Sequence, residues 1–430
     1  MRFANMYDIT NINGATFIFS PFKDLETASL GIFVRIGSRY EKKNLRGISH
    51  FLEHMVFKGS KKYSHKQIKQ EIEGRGGTLN AYTSEEFTGY YAHFLNKNLE
   101  PTLDILTNMV SEPLLREKEI EKERKVILEE IKMYNDLPSS RAETLLSKLI
   151  WSNHSLGEEI IGDFSTVKRI QRKELADFSN TYYQPSNTVV AFSGNYDQNK
   201  IIRLLQERIG KVSSRVSLNV IPPQPLRGIH VKVEGKKLEQ CYLCIGFRGI
   251  SYTDSQRAVI ELINVLLGAN MSSRLFEEIR EKKGLCYDIS SAVAKYKDGG
   301  VFTVRLGLDK SKIGTALITI LKELKKIKEV CVPYKELTRA KDYLLGQTAM
   351  GLEQPQGRMF YLAQFYLTLG KIYSFDEIKK EVEEVTPDNI KHLSNEIFDF
   401  RNMCISSVGD FSDKTEVGIR ETLKKGGYHS

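Results

Sequence analysis

At 430 residues the chain exceeds what one hydrophobic core organises, so two domains are expected. Apolar and charged residues make up 41% and 27% of it, and no window nears the ~20 uninterrupted apolar residues that cross a bilayer, so no membrane partner is expected. The net charge of +9 is spread along helical segments that also carry many Glu residues, a solvated mixed surface that argues against a nucleic-acid partner.

The start, MRFANMYDIT, has no basic segment leading into an apolar stretch. Five scattered cysteines, Cys241, Cys244, Cys286, Cys331 and Cys404, suit free thiols in a reducing compartment, and the expected location is cytoplasmic. Strand-like runs at 15–20 and 28–37 open the first half, the second apolar at nearly every position. A helical pattern follows at 47–57. Ser64-x-x-Gln67 is a capping-box start for a helix that glycines 74, 76 and 77 bring to an end. Strands at 78–83 and 88–95, a helix-rich region over 97–182, the strand NTVVAFSGN and one more helix complete the half.

The stretch SSRVSLNVIPPQPLRG reads as an extended linker, placing one domain at 1–212, the linker at 213–228 and a second domain at 229–430. The plan then repeats: strands at 229–233 and 239–248, helices near 254–267 and 272–283, two strands near 287–307, then a long helical region. LGIFVRIGSRYE aligns with CYLCIGFRGISYTD at an offset of roughly 210 residues, too long for a solenoid repeat, so the domain is duplicated. The expected fold class is α+β, each copy a largely antiparallel sheet with helices packed on one face.

Only the first copy carries HFLEH; the second reads IELINVLLG at the corresponding helix. His50 and His54 are four apart, so on a helix they stack on one face and can hold one ion, while Glu53 projects beside His54 as a general base for an attacking water. A hydrolytic zinc site needs a third protein ligand and an open position. The segment EKERKVILEEIKMY offers Glu123 and Glu130, seven apart on one helix face, with Val126, Ile127 and Ile131 expected to press that helix into the core. The run Gly77-Thr78-Leu79-Asn80-Ala81-Tyr82 has strand character, and an extended peptide could add to its edge through main-chain hydrogen bonds.

These motifs resemble the pitrilysin-like inverted zincins, the superfamily of mitochondrial processing peptidase and insulin-degrading enzyme, and HFLEHMVFKG is similar to the processing-peptidase form. The resemblance implies a zinc endopeptidase with one zinc per chain, Glu130 as third ligand and Glu123 assisting catalysis. It implies that GGTLNAYTSEEFTGYYA forms the substrate-pairing strand, with Asn80 and Ala81 at its centre, and that SSRLFEEIREKKGLCYDI supplies a substrate-binding pair, Arg280 and Tyr287. The superfamily also contains catalytically silent core and partner subunits, which lack an intact metal motif. Because the metal residues lie in the first copy and Arg280 and Tyr287 in the second, the expected working form is a homodimer completed in trans, with a heterodimer with a related subunit as the alternative.

Cys241-x-x-Cys244 lies in a strand, where residues three apart face opposite ways, so buried structural thiols are expected there. His65, His93, His154, His230, His392 and His429 have no partner at ligand spacing, and Trp151 reads as core.

Overall fold

The structure is a computed structural model that describes residues 7–208, 216–412 and 415–428. Its two compact units are not the contiguous halves expected from the sequence. The first comprises residues 1–132, 159–220 and 349–375, and the second 133–158, 221–348 and 376–430. The expected junction at 212/213 and His429 lie outside the described residues, while 216–229 carries no strand or helix.

In the first unit, β1 (Asp8–Ile12), β2 (Ala15–Pro21), β3 (Thr27–Val34), β4 (Thr78–Thr83), β5 (Thr88–Leu95) and β6 (Thr188–Gly194) form one sheet in the order β1-β2-β6-β3-β5-β4. Only the β2–β6 pairing is parallel. In the second unit, β7 (His230–Gly235), β8 (Cys241–Gly249), β9 (Cys286–Tyr296), β10 (Gly299–Leu308) and β11 (Cys404–Gly409) take the order β7-β11-β8-β10-β9, again with one parallel pairing, β7–β11. Without β1 the two sheets have the same order and the same pattern of directions. β1 was not foreseen; it returns on β2 through Asn13-Gly14, both at positive φ, the geometry a two-residue hairpin needs.

Five helices open the chain: α1 (Ile48–Val56), α2 (His65–Ile72), α3 (Leu99–Ser111), α4 (Glu117–Asp136) and α5 (Pro138–Ile150). The Ser64–Gln67 capping box that starts α2 forms as expected. Each sheet is covered on both faces rather than one. In the first unit, Leu30, Ile32 and Val34 of β3 face the core shared with α1 and α3, whereas Phe33 packs with Met359 and Leu362 of the helix Pro355–Leu369. In the second, Leu243, Ile245 and Phe247 of β8 face the main core, and the opposite face meets Leu145, Leu146 and Ile150 of α5. The covering helices are therefore exchanged: α5, from the first half of the chain, belongs to the second unit, and Pro355–Leu369 belongs to the first.

Close approach of α5 depends on Gly246, where a Cβ would stand 2.4 Å from Ile150 Cδ1. Cys241 and Cys244 are buried in different clusters on opposite faces of β8, as the strand period requires. Trp151 is core, with Arg248 stacked on its ring. Among the described residues no helix is long and apolar enough to cross a membrane.

Candidate metal centre

The site is built on α1. Its sequence, ISHFLEHMV, buries Ile48, Ser49, Phe51, Leu52, Met55 and Val56 and leaves His50, Glu53 and His54 on the remaining face. The helix has no side-chain cap from its N-cap residue Gly47, which sits at φ +89°. Glu41 caps it instead: one carboxylate oxygen accepts from the Gly47 N–H at 2.7 Å and the other from the Ser49 N–H at 2.8 Å, so its carboxyl stands at the positive end of the helix, where burial pushes its pKa up to about 7.

α4 brings the third candidate ligand, the carboxylate of Glu130, and with it Glu123. Ile120, Ile127 and Ile131 bury one side of it, and the guanidinium of Arg124, over the Phe51 ring of α1, locks the two helices together. Val126 does not press into the core as expected. It is 50% exposed, because it falls outside the stripe that Ile120, Ile127 and Ile131 define.

Nε2 of His50 and Nε2 of His54 approach Glu130 Oε2 to 3.9 and 3.6 Å, and the three side chains offer one ligand atom each within 4.8 Å of one another. These separations are too long for hydrogen bonds and near the roughly 3.4 Å edge of a tetrahedron with ~2.1 Å metal–ligand bonds. The donor set, two imidazoles and a carboxylate, suits zinc, so the residues fit the group. Glu123 Oε1 accepts from His54 Nδ1 at 2.8 Å, which leaves the Nε2 lone pair of His54 pointing toward Glu130. Lys58 Nζ lies 2.6 Å from Glu123 Oε2. Neither Lys58 nor Glu41 was foreseen; Lys58 lies in the turn just past the end of α1 and Glu41 in the loop before it, so helical spacing places neither.

Burial, with a smaller contribution from the His54 imidazole, holds the His50 pKa down to about 3, so this ring stays neutral and able to bind metal. Burial also raises the carboxyls of Glu53 and Glu130 above the usual range. At Glu123 burial acts the same way, but the hydrogen bonds from His54 and Lys58 together outweigh it and hold this carboxyl low. Glu53 is not in the convergent group; its Oε2 accepts from the Thr83 hydroxyl at 2.6 Å.

β4 is the edge of its sheet, paired with β5 alone, and Asn80 is exposed while Ala81 is half-buried. Arg280 and Tyr287 belong to the second unit. The Arg280 guanidinium lies over both the Phe276 and Tyr287 rings and 3.6 Å from Glu281, and Tyr287 is 79% exposed, lining an open cavity of about 420 Å³ with Asp288, Arg305 and Glu143. Arg280 sits on a π-helical segment, Phe276–Lys282, where an ordinary helix was expected. The remaining described histidines are local: His65 bonds the Phe57 carbonyl, His93 Ser29, His154 the Leu156 N–H and Ile221 carbonyl, His230 the Arg227 carbonyl, and His392 pairs with Glu396.

The sequence profile described as Insulinase (Peptidase family M16) matches residues 21–163, and that described as Peptidase M16 inactive domain matches residues 169–344. An uncharacterized zinc protease of Streptomyces coelicolor is 32% identical over 417 residues, covering 95% of this chain and 91% of its own. The uncharacterized zinc protease YmxG of Bacillus subtilis is 32% identical over 400 residues, covering 93% and 97%. A protease from Helicobacter pylori superposes with a TM-score of 0.89 at 21% identity, covering 94% of this chain and 99% of that one. The Pseudomonas fluorescens structure described as a peptidase M16 inactive domain gives 0.85 at 20%, covering 94% and 98%. At such identities the two structures speak for the fold. Family profiles over both halves, and zinc-protease relatives aligned along nearly the whole length, establish that this chain belongs to peptidase family M16.

Proposed function

We propose that the protein is a zinc-dependent endopeptidase that cleaves peptides held in extended conformation. The observation that carries this reading is the convergence of His50, His54 and Glu130 with Glu53 standing beside them outside the ligand group. In this reading the three residues hold one zinc per chain. The metal, when bound there, makes a water more acidic and polarises a carbonyl.

Glu53 takes the proton of the attacking water and passes it to the leaving amide nitrogen; its raised pKa suits a base that must later act as an acid. Glu123 positions His54 through Nδ1, with Lys58 keeping it ionised. The substrate adds to the free edge of β4 at Asn80 and Ala81, so its own main chain sets the register of cleavage. The working form is a homodimer in which Arg280 and Tyr287 of one copy serve the metal centre of the other. The exposure of Tyr287, with a cation stacked on it, supports a role toward a ligand rather than in the core.

A catalytically silent partner subunit is the competing reading, and the intact group around His50 weighs against it. Glu53→Gln separates the two: hydrolysis of a peptide pool should fall by three or more orders of magnitude with zinc content unchanged. No hydrolysis by the zinc-loaded wild type would leave the silent role, whereas hydrolysis by Glu53→Gln at the wild-type rate would refute Glu53 as the base.

A further inference from the structure

We infer that Thr83 is the positioning residue for the base Glu53, and that it ties the base to the strand that receives the substrate; this rests on the reading of Glu53 just given. Among the described residues the Thr83 hydroxyl is the hydrogen-bond partner of the Glu53 carboxylate. It occupies Oε2 and leaves Oε1 as the oxygen available to take a proton, so one bond selects both the rotamer of the base and which oxygen works.

The strand places Thr83 there by its period. Leu79 and Ala81 turn toward the first unit's core, where α1 also packs, and two residues on Thr83 takes the same side. Thr83 is the last residue of β4, where a strand would ordinarily fray. Here the turn beyond it is latched. Ser84 N–H and the Ser84 hydroxyl both donate to the Phe87 carbonyl; Ser38 N–H donates to the Ser84 carbonyl and Arg39 N–H to that of Glu85. The Arg39 guanidinium forms a buried ion pair with Glu86. Gly37 permits this approach, since a Cβ there would stand 2.3 Å from the Ser84 carbonyl oxygen. Strand end, latch and base thus form one rigid path from the β4 edge to the Glu53 carboxylate.

A valine at this position keeps the shape and removes the donor. Thr83→Val should lower kcat by about 10–100-fold, the range seen when a group that orients a site residue is lost, with KM, zinc per chain and melting temperature unchanged. Thr83→Ser, which keeps the hydroxyl, should restore kcat. The affinity of a substrate peptide, measured on the hydrolysis-dead Glu53→Gln chain, should be the same with and without Thr83→Val. Should valine disturb zinc content or melting, Thr83→Ala is read by the same criteria. Wild-type kcat in Thr83→Val, or a serine variant as slow as the valine one, overturns the inference. So does weaker peptide binding in the Glu53→Gln/Thr83→Val chain, which would make Thr83 a substrate contact. Failure of the general-base reading would show separately, as activity in Glu53→Gln alone.

Discussion

The two units repeat one sheet, yet their corresponding helices differ in kind. α1 buries six of its nine residues and turns His50, Glu53 and His54 to the open face. Its counterpart, Arg257–Leu267, buries Val259, Ile260, Leu262, Ile263, Val265, Leu266 and Leu267, and its one carboxylate, Glu261, is spent on an ion pair with Lys295. The scaffold is thus indifferent to chemistry. Three half-buried polar residues on the face turned from the core separate a site helix from a packing helix, and the site helix needs support from outside, from Glu41 at its start and Arg124 at its flank.

Removing a ligand should break the comparison most completely. His50→Ala, His54→Ala or Glu130→Gln takes away one of three protein donors, and zinc measured by atomic absorption should fall well below one per chain with hydrolysis lost. Glu261→Gln in the counterpart helix should change neither. A zinc-replete, active Glu130→Gln protein would refute the ligand assignment.

The exchanged helices give the next effect. Gly246→Ala drives a Cβ into Ile150 and should cost about 1–3 kcal/mol in urea denaturation. Gly31→Ala, the matching test in the first unit, meets the buried Phe33 ring at 2.5 Å and the Met359 sulfur at 2.9 Å, and should cost a similar amount. Equal, negligible costs would mean that neither helix lies so close.

Glu41→Ala removes the cap of α1 and should cost about 1 kcal/mol, with Glu41→Gln recovering part of it. At Arg257–Leu267 the nearest equivalent is a single bond, from the N–H of the N-cap residue Gln256 to Asp254 Oδ1 at 2.8 Å, so Asp254→Ala should cost less than Glu41→Ala.

The smallest effect concerns how α5 is fastened to the second sheet. Arg141 of α5 grips Glu234 of β7 through both carboxylate oxygens, and this hydrogen bonding holds the Glu234 carboxyl below its ordinary value of 4.5. A lowered folded-state pKa stabilises above the unfolded value and is lost as pH falls through the folded one. The melting-temperature gap between wild type and Glu234→Gln should therefore be widest above pH 4.5, equivalent to about 0.5 kcal/mol, and close on acidification below it. A gap that widened toward acid pH would contradict the pairing.

Most strands could be read from the sequence because a half-buried strand writes a period of two into adjacent residues; β4 and β5 fall where expected, at 78–83 and 88–95. β1 was legible as well, in the Asn13-Gly14 turn that its short polar run obscured. The group on α1 was legible because four-residue spacing on a helix is a local fact, and Glu123 and Glu130 because seven-residue spacing is another. Val126 was misread because apolar character alone does not say on which side of the stripe a residue falls.

What the sequence by itself determined, then, is the set of elements and the facing pairs His50/His54 and Glu123/Glu130, fixed by periods of two and 3.6 acting within one element, and the duplication, written in the repeated order of elements; Glu130 as third ligand came from the family resemblance. Only the tertiary structure decided which sheet each covering helix joins, that Glu41 rather than Gly47 caps α1, and that Thr83 reaches Glu53. An apolar helix face carries no address for the sheet it will meet, and a carboxylate or hydroxyl finds its partner across tens of residues only after the backbone has been placed by packing elsewhere.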